Sequence, residues 1–203
     1  MVVSEYYRAL LRMKINHNNI KRLKNKDFTI ISQNCVGGVI LHELNQRFNS
    51  PTINLFFSSR DFLLFLSDMR HYLSLEMQEK RTPYSYPVGN LGGLTVHFMH
   101  YGSFQEAKDK WKERINRINY NNMYVMMVQG KDCTDDMVEQ FDALPFEKKV
   151  IFVGKPYHNI KSAVYIPGTE LDDGSVTNLC LYKSKLTGRR LLDDYDYVSF
   201  LNS

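Results

Sequence analysis

Long apolar runs are missing from this chain of 203 residues. The run Phe62–Leu66 falls far short of the ~20 apolar residues that a membrane-spanning helix requires. No charged segment followed by an apolar one opens the chain, so we expect no cleaved secretory signal. With 43% hydrophobic and 24% charged residues, the composition excludes wholesale disorder and a collagen-like fibre. We therefore expect a folded, soluble protein of one domain or a small pair.

Cysteine is scarce, and only Cys35, Cys133 and Cys180 are present. The odd number, without a secretory signal, argues for free thiols in a reducing, cytoplasmic setting. No CxxC pair and no structural-zinc spacing occurs, so zinc is not expected. The identity of any cofactor stays open, with a divalent metal bound beside a diphosphate as one alternative.

The formal charge of +4 is concentrated in residues 1–26, where seven basic residues stand against Glu5 alone. Apolar residues recur there at helical spacing, which predicts an amphipathic helix over residues 3–15 with these members: Val3, Tyr6, Tyr7, Leu10, Leu11 and Met13. The apolar face of this N-terminal arm would pack on the protein's own core, on a second subunit, or on the inner membrane surface through residues 3–26. No nucleic acid is expected as a partner, because the rest of the chain lacks a basic stripe. The composition does not indicate an oligomeric state.

Apolar runs alternate with helical patterns along the chain. Five strands are predicted, at residues 28–32, 53–57, 94–100, 123–128 and 149–153, with helices between them. One of these helices is predicted to start at a capping box of Ser58 and Asp61 and to continue to about Glu79. This alternation predicts an α/β fold over residues 27–156, with an open, largely parallel sheet and helices on both faces in a Rossmann-like three-layer arrangement. Residues 157–203 are less regular and are predicted to form a C-terminal extension or a small subdomain.

Ligands in open α/β sheets bind beyond the carboxyl ends of the strands. The first predicted strand is followed by Asn34, Cys35, Gly37 and Gly38, just before a helix. Backbone N–H groups in such a turn can hold an anion, so Asn34 and the two glycines are candidate ligand-binding residues. A helix N-terminus also lowers thiol pKa, which makes Cys35 a candidate nucleophile. The alternative is a buried thiol in a tight turn whose glycines serve only the backbone.

The other predicted strand ends supply further candidates. His100 is a candidate general base, and Asp132 would orient it or bind a metal. Arg60 and Lys155 would bind a phosphate or carboxylate of the ligand, although each is as well explained as a solvated surface charge. His97, three residues before His100, points to the opposite face of a strand and is predicted to be structural.

Several stretches resemble a family of bacterial proteins labelled exopolysaccharide biosynthesis proteins: LKNKDFTIISQNCVGG, FFSSRDFLLFLSDMRHYL, YPVGNLGGLTVHFMHYGSFQEAKDKWKERINRIN, GKDCTDDMVEQFDALPFEKKVIFVGKPY and YDYVSFLN. The resemblance covers most of residues 20–201. It implies an α/β fold and an association with surface-polysaccharide pathways, and it brings no assigned catalytic residues.

These observations lead to three hypotheses. The first is a transferase that binds an activated sugar-nucleotide, acyl or phosphoryl donor at the strand ends, in the cytoplasm and peripherally on the membrane. The second is a hydrolase or acyltransferase that uses Cys35 as its nucleophile. The third is a non-catalytic scaffold or regulator of polysaccharide assembly.

Overall fold

A computed structural model describes residues 2–184 and 186–203, with side chains from Glu5 onward, so the predicted contribution of Val3 lies outside the described side chains. Along that part of the chain, the helices are α1 (Val2–Arg22), α2 (Val36–Glu43), α3 (Ser59–Ser67), α4 (Met69–Ser74), α5 (Phe104–Ile115), α6 (Asp135–Ala143) and α7 (Tyr197–Leu201). The strands are β1 (Thr29–Ser32), β2 (Gln78–Glu79), β3 (Val88–Leu91), β4 (Leu94–His97), β5 (Met123–Val128), β6 (Lys149–Val153) and β7 (Ala163–Tyr165). None of the described helices is both long enough and apolar enough to cross a bilayer.

Four parallel strands form the central sheet in the order β1-β5-β6-β7. Ile31 of β1 lies opposite Val125 of β5, and Met127 of β5 lies opposite Ile151 of β6. All four carboxyl ends therefore meet at one edge of the sheet. The predicted α/β fold with a parallel sheet is confirmed.

Alternate side chains of the sheet enter two separate cores, because successive residues of a strand point to opposite faces. On one face, Ile31 and Met127 are buried with residues of α3 to α6, including Trp111 of α5. On the other face, Ile30 and Met126 are buried with residues of α2 and α7. Helices therefore cover both faces, as predicted.

Two of the five predicted strands do not belong to the parallel sheet. Residues 94–100 contain only the short strand β4, which pairs antiparallel with β3 in a small second sheet of β2, β3 and β4. The predicted strand at 53–57 forms a single bridge, between Phe56 and His97. Asn54 interrupts it with a left-handed φ of 63°, a conformation that no regular strand contains.

The helix predicted from Ser58 to about residue 79 is divided in two at Asp68. There the backbone leaves helical geometry (φ −144°, ψ 56°), and the Asp68 carboxylate accepts a hydrogen bond from the backbone N–H of His71 at 3.3 Å. Such an N-cap ends α3 and begins α4. The start at Ser58 is as predicted, since its hydroxyl accepts from the N–H of Asp61 at 3.1 Å.

Helix α1 is joined to the rest of the protein by a buried charge network. The guanidinium of Arg12 forms ion pairs with Glu43, the last residue of α2, and with Asp193 near the C-terminus. Arg190 pairs with the other oxygen of Glu43 at 2.7 Å. Burial alone would lower the pKa of Arg12, but hydrogen bonds and charge from Asp193 and Glu43 raise it overall. The inner side of α1 therefore carries a buried, paired arginine as well as half-buried apolar residues such as Ile15.

Candidate functional site

Two buried glutamines lie at the carboxyl edge of the parallel sheet. Gln33 follows β1, and its side-chain oxygen accepts from the N–H of Val128 at 3.0 Å. Gln129 follows β5 and accepts in the same way from the N–H of Gly154 at 2.9 Å. Each side chain therefore satisfies a backbone donor at the end of the neighbouring strand, as buried polar groups require. The strand ends are held rigidly side by side.

Cys35 follows Gln33 by two residues and occupies the N-cap position of α2. It lines two neighbouring cavities, one of about 190 Å³ and one of about 450 Å³. The smaller cavity is also bounded by Asn34 and by the loop at residues 176–180, and the larger by Gly38 and His42. The smaller cavity also includes Gln33 and Val128, at the carboxyl ends of β1 and β5, where a parallel α/β sheet places its ligands, and the larger cavity lies along α2.

A turn from the small sheet covers both cavities. Its tip consists of Met99, which lines the smaller cavity, and His100, which lines the larger one. On either side of the tip, Phe98 and Tyr101 are buried edge-to-face with ring centroids 5.6 Å apart. The Tyr101 hydroxyl accepts a hydrogen bond from Arg114 at 2.6 Å. The two exposed tip residues are therefore presented by a firmly anchored turn.

Two residues of the buried charge network also form one wall of the larger cavity. Glu43 and Arg190 both line this cavity, and the Arg190 guanidinium also lies 4.5 Å from the centre of the Tyr182 ring. Glu43 is held between Arg12 and Arg190, so its charge is compensated. The wall thus combines a fixed guanidinium with the imidazoles of His42 and His100, which are groups suited to an anionic ligand.

The two glycines of the predicted anion turn have different roles. A Cβ on Gly37 would lie 2.7 Å from the Cβ of Ser32, and the Gly37 N–H donates to the Ser32 hydroxyl at 3.2 Å. Gly37 therefore permits α2 to pack closely on β1. A Cβ on Gly38 would meet Ile53 at an ordinary 3.5 Å, and Gly38 lines the larger cavity. Asn34 accepts from the N–H of Val36 at 3.1 Å and so shapes the turn.

Burial raises the pKa of all three thiols. For Cys133 and Cys180 it raises the pKa to about 11, and for Cys35 the direction is the same. The desolvation of Cys35 therefore opposes the thiolate that its position at a helix N-terminus would favour. Cys180 lines the smaller cavity together with Cys35, and the charge of Cys35 contributes to raising its pKa.

Four of the sequence-predicted site residues line neither cavity: Gly37, described above, and Asp132, Lys155 and Arg60. Asp132 accepts from the backbone N–H and the hydroxyl of Ser59, at 2.6 and 3.0 Å, and so caps α3 instead of orienting His100. Lys155 pairs with Asp135 at 2.5 Å on the surface. Arg60 lines a separate groove of about 570 Å³ between α3 and α6. Neither Arg60 nor His100 follows a strand of the parallel sheet, so the inference from strand ends was wrong for both.

His97 occupies a structural position, among the rings of Phe56, Tyr84 and Tyr86. Burial lowers its pKa below the usual value of 6.5. Its Nδ1 lies 3.4 Å from the hydroxyl of Tyr86. His97 lines neither of the two cavities.

The sequence pattern missed Met99, Gln33, Gln129, Glu43 and Arg190. For the glutamines a signal existed, because each is a polar residue directly after a predicted strand. Glu43 and Arg190 are far apart in the chain and meet only through the fold. Within the described residues, no group of three histidine, cysteine or acidic side chains is arranged to hold a metal ion.

Two comparisons with known proteins relate this chain to others. A protein of Haemophilus influenzae, described only as an uncharacterized protein, is 43% identical over 191 residues, covering 94% of this chain and 92% of that protein. A family model described as a domain of unknown function, DUF1919, matches residues 6–202 and so spans both cavities and the covering turn. The chain belongs to the DUF1919 family.

Proposed function

We propose that this protein is a transferase of exopolysaccharide biosynthesis, which binds an activated sugar-nucleotide, acyl or phosphoryl donor in the two cavities at Cys35. The observation that supports the proposal most directly is the position of the smaller cavity at the carboxyl edge of the parallel sheet, with the larger cavity next to it between α2 and the Met99–His100 turn. The role in exopolysaccharide synthesis rests on the resemblance of the sequence segments quoted above.

The two cavities differ in chemistry, which suggests how a donor would lie. The larger cavity offers Arg190 and His42 to the anionic part of the donor. The smaller cavity, with Phe56, Met99 and Val128, would hold an apolar or ring portion. His100 is exposed at the tip of the turn and is our candidate for the general base that removes a proton from the acceptor. The three free thiols favour a cytoplasmic location, where such donors are available.

Thermal unfolding with a panel of sugar nucleotides, nucleoside diphosphates and acyl-coenzyme A, with and without Mg²⁺ or Mn²⁺, tests this proposal. A donor at 100 times its Kd stabilises by about 2.7 kcal/mol, which is a rise in Tm of roughly 5–11 °C for a chain of this size. We expect such a rise with one donor class only.

Variants locate the binding site. Cys35→Leu fills the point that both cavities share and should abolish the rise in Tm. Arg60→Ala and Lys155→Ala are matched controls outside the cavities, and they should bind the donor as the wild type does. His100→Ala should bind the donor but lose turnover. A rise that persists in Cys35→Leu, or no rise with any donor, would overturn the proposal.

A second candidate function, a hydrolase or acyltransferase with Cys35 as nucleophile, is favoured by one observation. Cys35 and His100 line the same cavity of about 450 Å³, as a nucleophile and its base would. Because burial raises the pKa of Cys35, this reaction would need His100 to take the thiol proton. Alkylation at neutral pH separates the alternatives. Labelling of Cys35 well ahead of Cys133 and Cys180 supports a nucleophilic role of Cys35. Equally slow labelling of all three thiols excludes this role. If donors also fail to bind, a non-catalytic scaffold or regulator is what remains.

A further inference from the structure

The outward side of α1 carries exposed apolar side chains. Tyr6, Leu10 and Met13 follow one another at spacings of four and three residues, so they share one side of the helix. They are 68%, 47% and 66% exposed. Arg12, on the opposite side, is buried against Glu43 and Asp193. The apolar side of this amphipathic helix therefore does not pack on the protein's own core.

This side of α1 is also basic. Lys14 and Lys21 are exposed and are next to the apolar residues around the helix. From Tyr6 to Lys26 the sequence contains no aspartate or glutamate. Within the described residues, Arg12 and Arg22 form ion pairs, whereas Lys14 and Lys21 form none. We call the exposed set of Tyr6, Leu10, Met13, Lys14 and Lys21 the outer face of α1.

We propose that the outer face of α1 docks on an anionic lipid surface. Helices with an apolar side and a lysine-rich border lie in the plane of the bilayer interface, with the apolar residues among the headgroups. Leu10 and Met13 would enter this layer, the ring of Tyr6 would sit at its boundary with water, and the lysines would meet the negative headgroups. No residue of the two cavities takes part, so the inference is independent of the proposed reaction.

Charge argues for lipid and against a second copy of this chain. In a two-fold dimer the same patch meets itself, so Lys14 and Lys21 of both copies would be brought close together. No carboxylate belongs to the outer face to compensate them. An anionic headgroup layer satisfies both the lysines and the apolar residues.

Cosedimentation of the full chain with lipid vesicles tests the proposal. Vesicles of phosphatidylcholine alone are compared with an equal mixture of phosphatidylcholine and phosphatidylglycerol. We expect binding to the anionic vesicles that weakens as salt screens the lysines. Each lysine near the surface contributes about fivefold in affinity, so Lys14→Gln with Lys21→Gln should weaken binding roughly 25-fold.

The apolar contribution is tested with Leu10→Glu combined with Met13→Glu, which should abolish binding. Leu171→Glu is the matched control, because Leu171 is an equally exposed leucine (48%) in the C-terminal region. All variants alter exposed residues, and circular dichroism with thermal unfolding verifies that they fold. The proposal is overturned if the wild type binds both kinds of vesicle equally, if Leu171→Glu loses as much binding as the double variant, or if the free protein is a dimer that Leu10→Glu with Met13→Glu dissociates.

Discussion

The hydroxyl of Tyr101 donates a hydrogen bond of 2.9 Å to the backbone carbonyl of Ile53. The same hydroxyl accepts from Arg114, so one oxygen atom joins the Met99–His100 turn to the segment before α3 and to α5. These two hydrogen bonds therefore hold the turn in position beside the two cavities.

Tyr101→Phe removes that oxygen and leaves the Ile53 carbonyl and the buried Arg114 guanidinium without a partner. An unsatisfied buried group costs about 1–3 kcal/mol, which is a fall in Tm of roughly 2–12 °C. Thermal unfolding measures it. Tyr84→Phe is the control, because Tyr84 is 53% exposed and stacks on Tyr86 through its ring. Equal Tm values for the two variants would contradict the anchoring role of Tyr101.

Gly37 and Gly38 are adjacent, yet alanine should affect them in opposite ways. Gly37→Ala places a methyl group 2.7 Å from the Ser32 Cβ and should destabilise by about 1–3 kcal/mol. Gly38→Ala finds normal contacts and gains about 1 kcal/mol of helix propensity. Urea titration of both variants measures the difference. If Gly37→Ala is as stable as Gly38→Ala, then the close packing of α2 on β1 is not a constraint.

Arg12→Ala should be strongly destabilising, because it leaves Asp193 buried without a compensating cation and leaves Glu43 paired with Arg190 alone. Breaking a buried pair in this way costs about 3–5 kcal/mol. Arg22→Ala is the comparison, since Arg22 pairs with Asp196 on the surface, where such pairs contribute at most about 1 kcal/mol. Urea unfolding should therefore separate the two variants clearly, and equal losses would show that the buried network does not hold α1.

His97 should make the protein less stable as the pH falls below about 6.5. Burial lowers its pKa in the folded state, so the unfolded chain binds a proton at higher pH than the folded protein does. The stability that neutral His97 provides is thus complete above its unfolded pKa and is lost as the pH falls through the folded one. His97→Gln should lose less Tm between pH 7 and pH 5 than the wild type. Parallel curves for the two proteins would refute this.

Local signals in the sequence predicted most of the central sheet and its helices. β1, β5 and β6 are apolar runs between turn residues, and α5 begins at Ser103, whose hydroxyl accepts from the N–H of Glu106 at 3.2 Å. The hairpin of β3 and β4 was missed, although Gly92 and Gly93 at its turn are a pair typical of such hairpins. The apolar residues at 53–57 are buried as a strand would be, but Asn54 prevents a regular ladder.

The candidate site could be predicted only in part. Asn34, Cys35 and Gly38 follow β1 directly, so a local pattern was sufficient to place them at the cavities. His100 reaches the larger cavity through a turn of the second sheet, and Arg190 reaches it through the C-terminal region. Such positions depend on how distant segments pack, and no spacing in the sequence encodes them. Asp132 looked catalytic because a carboxylate that caps a helix and one that binds a ligand are alike in sequence.

Several contacts that hold α1 can form only after the end of the chain has been synthesised. Three partners of α1 lie in the last part of the chain. Arg12 forms an ion pair with Asp193, Asn19 a hydrogen bond with Tyr197, and Arg22 an ion pair with Asp196. At 5–20 residues per second, the ribosome needs roughly 9–35 seconds to proceed from Arg22 to Tyr197. During that interval α1 is a basic helix that lacks its partners from the C-terminal region, and its outer face is exposed. If its outer face binds lipid, the growing chain would reach the membrane before its own fold closes.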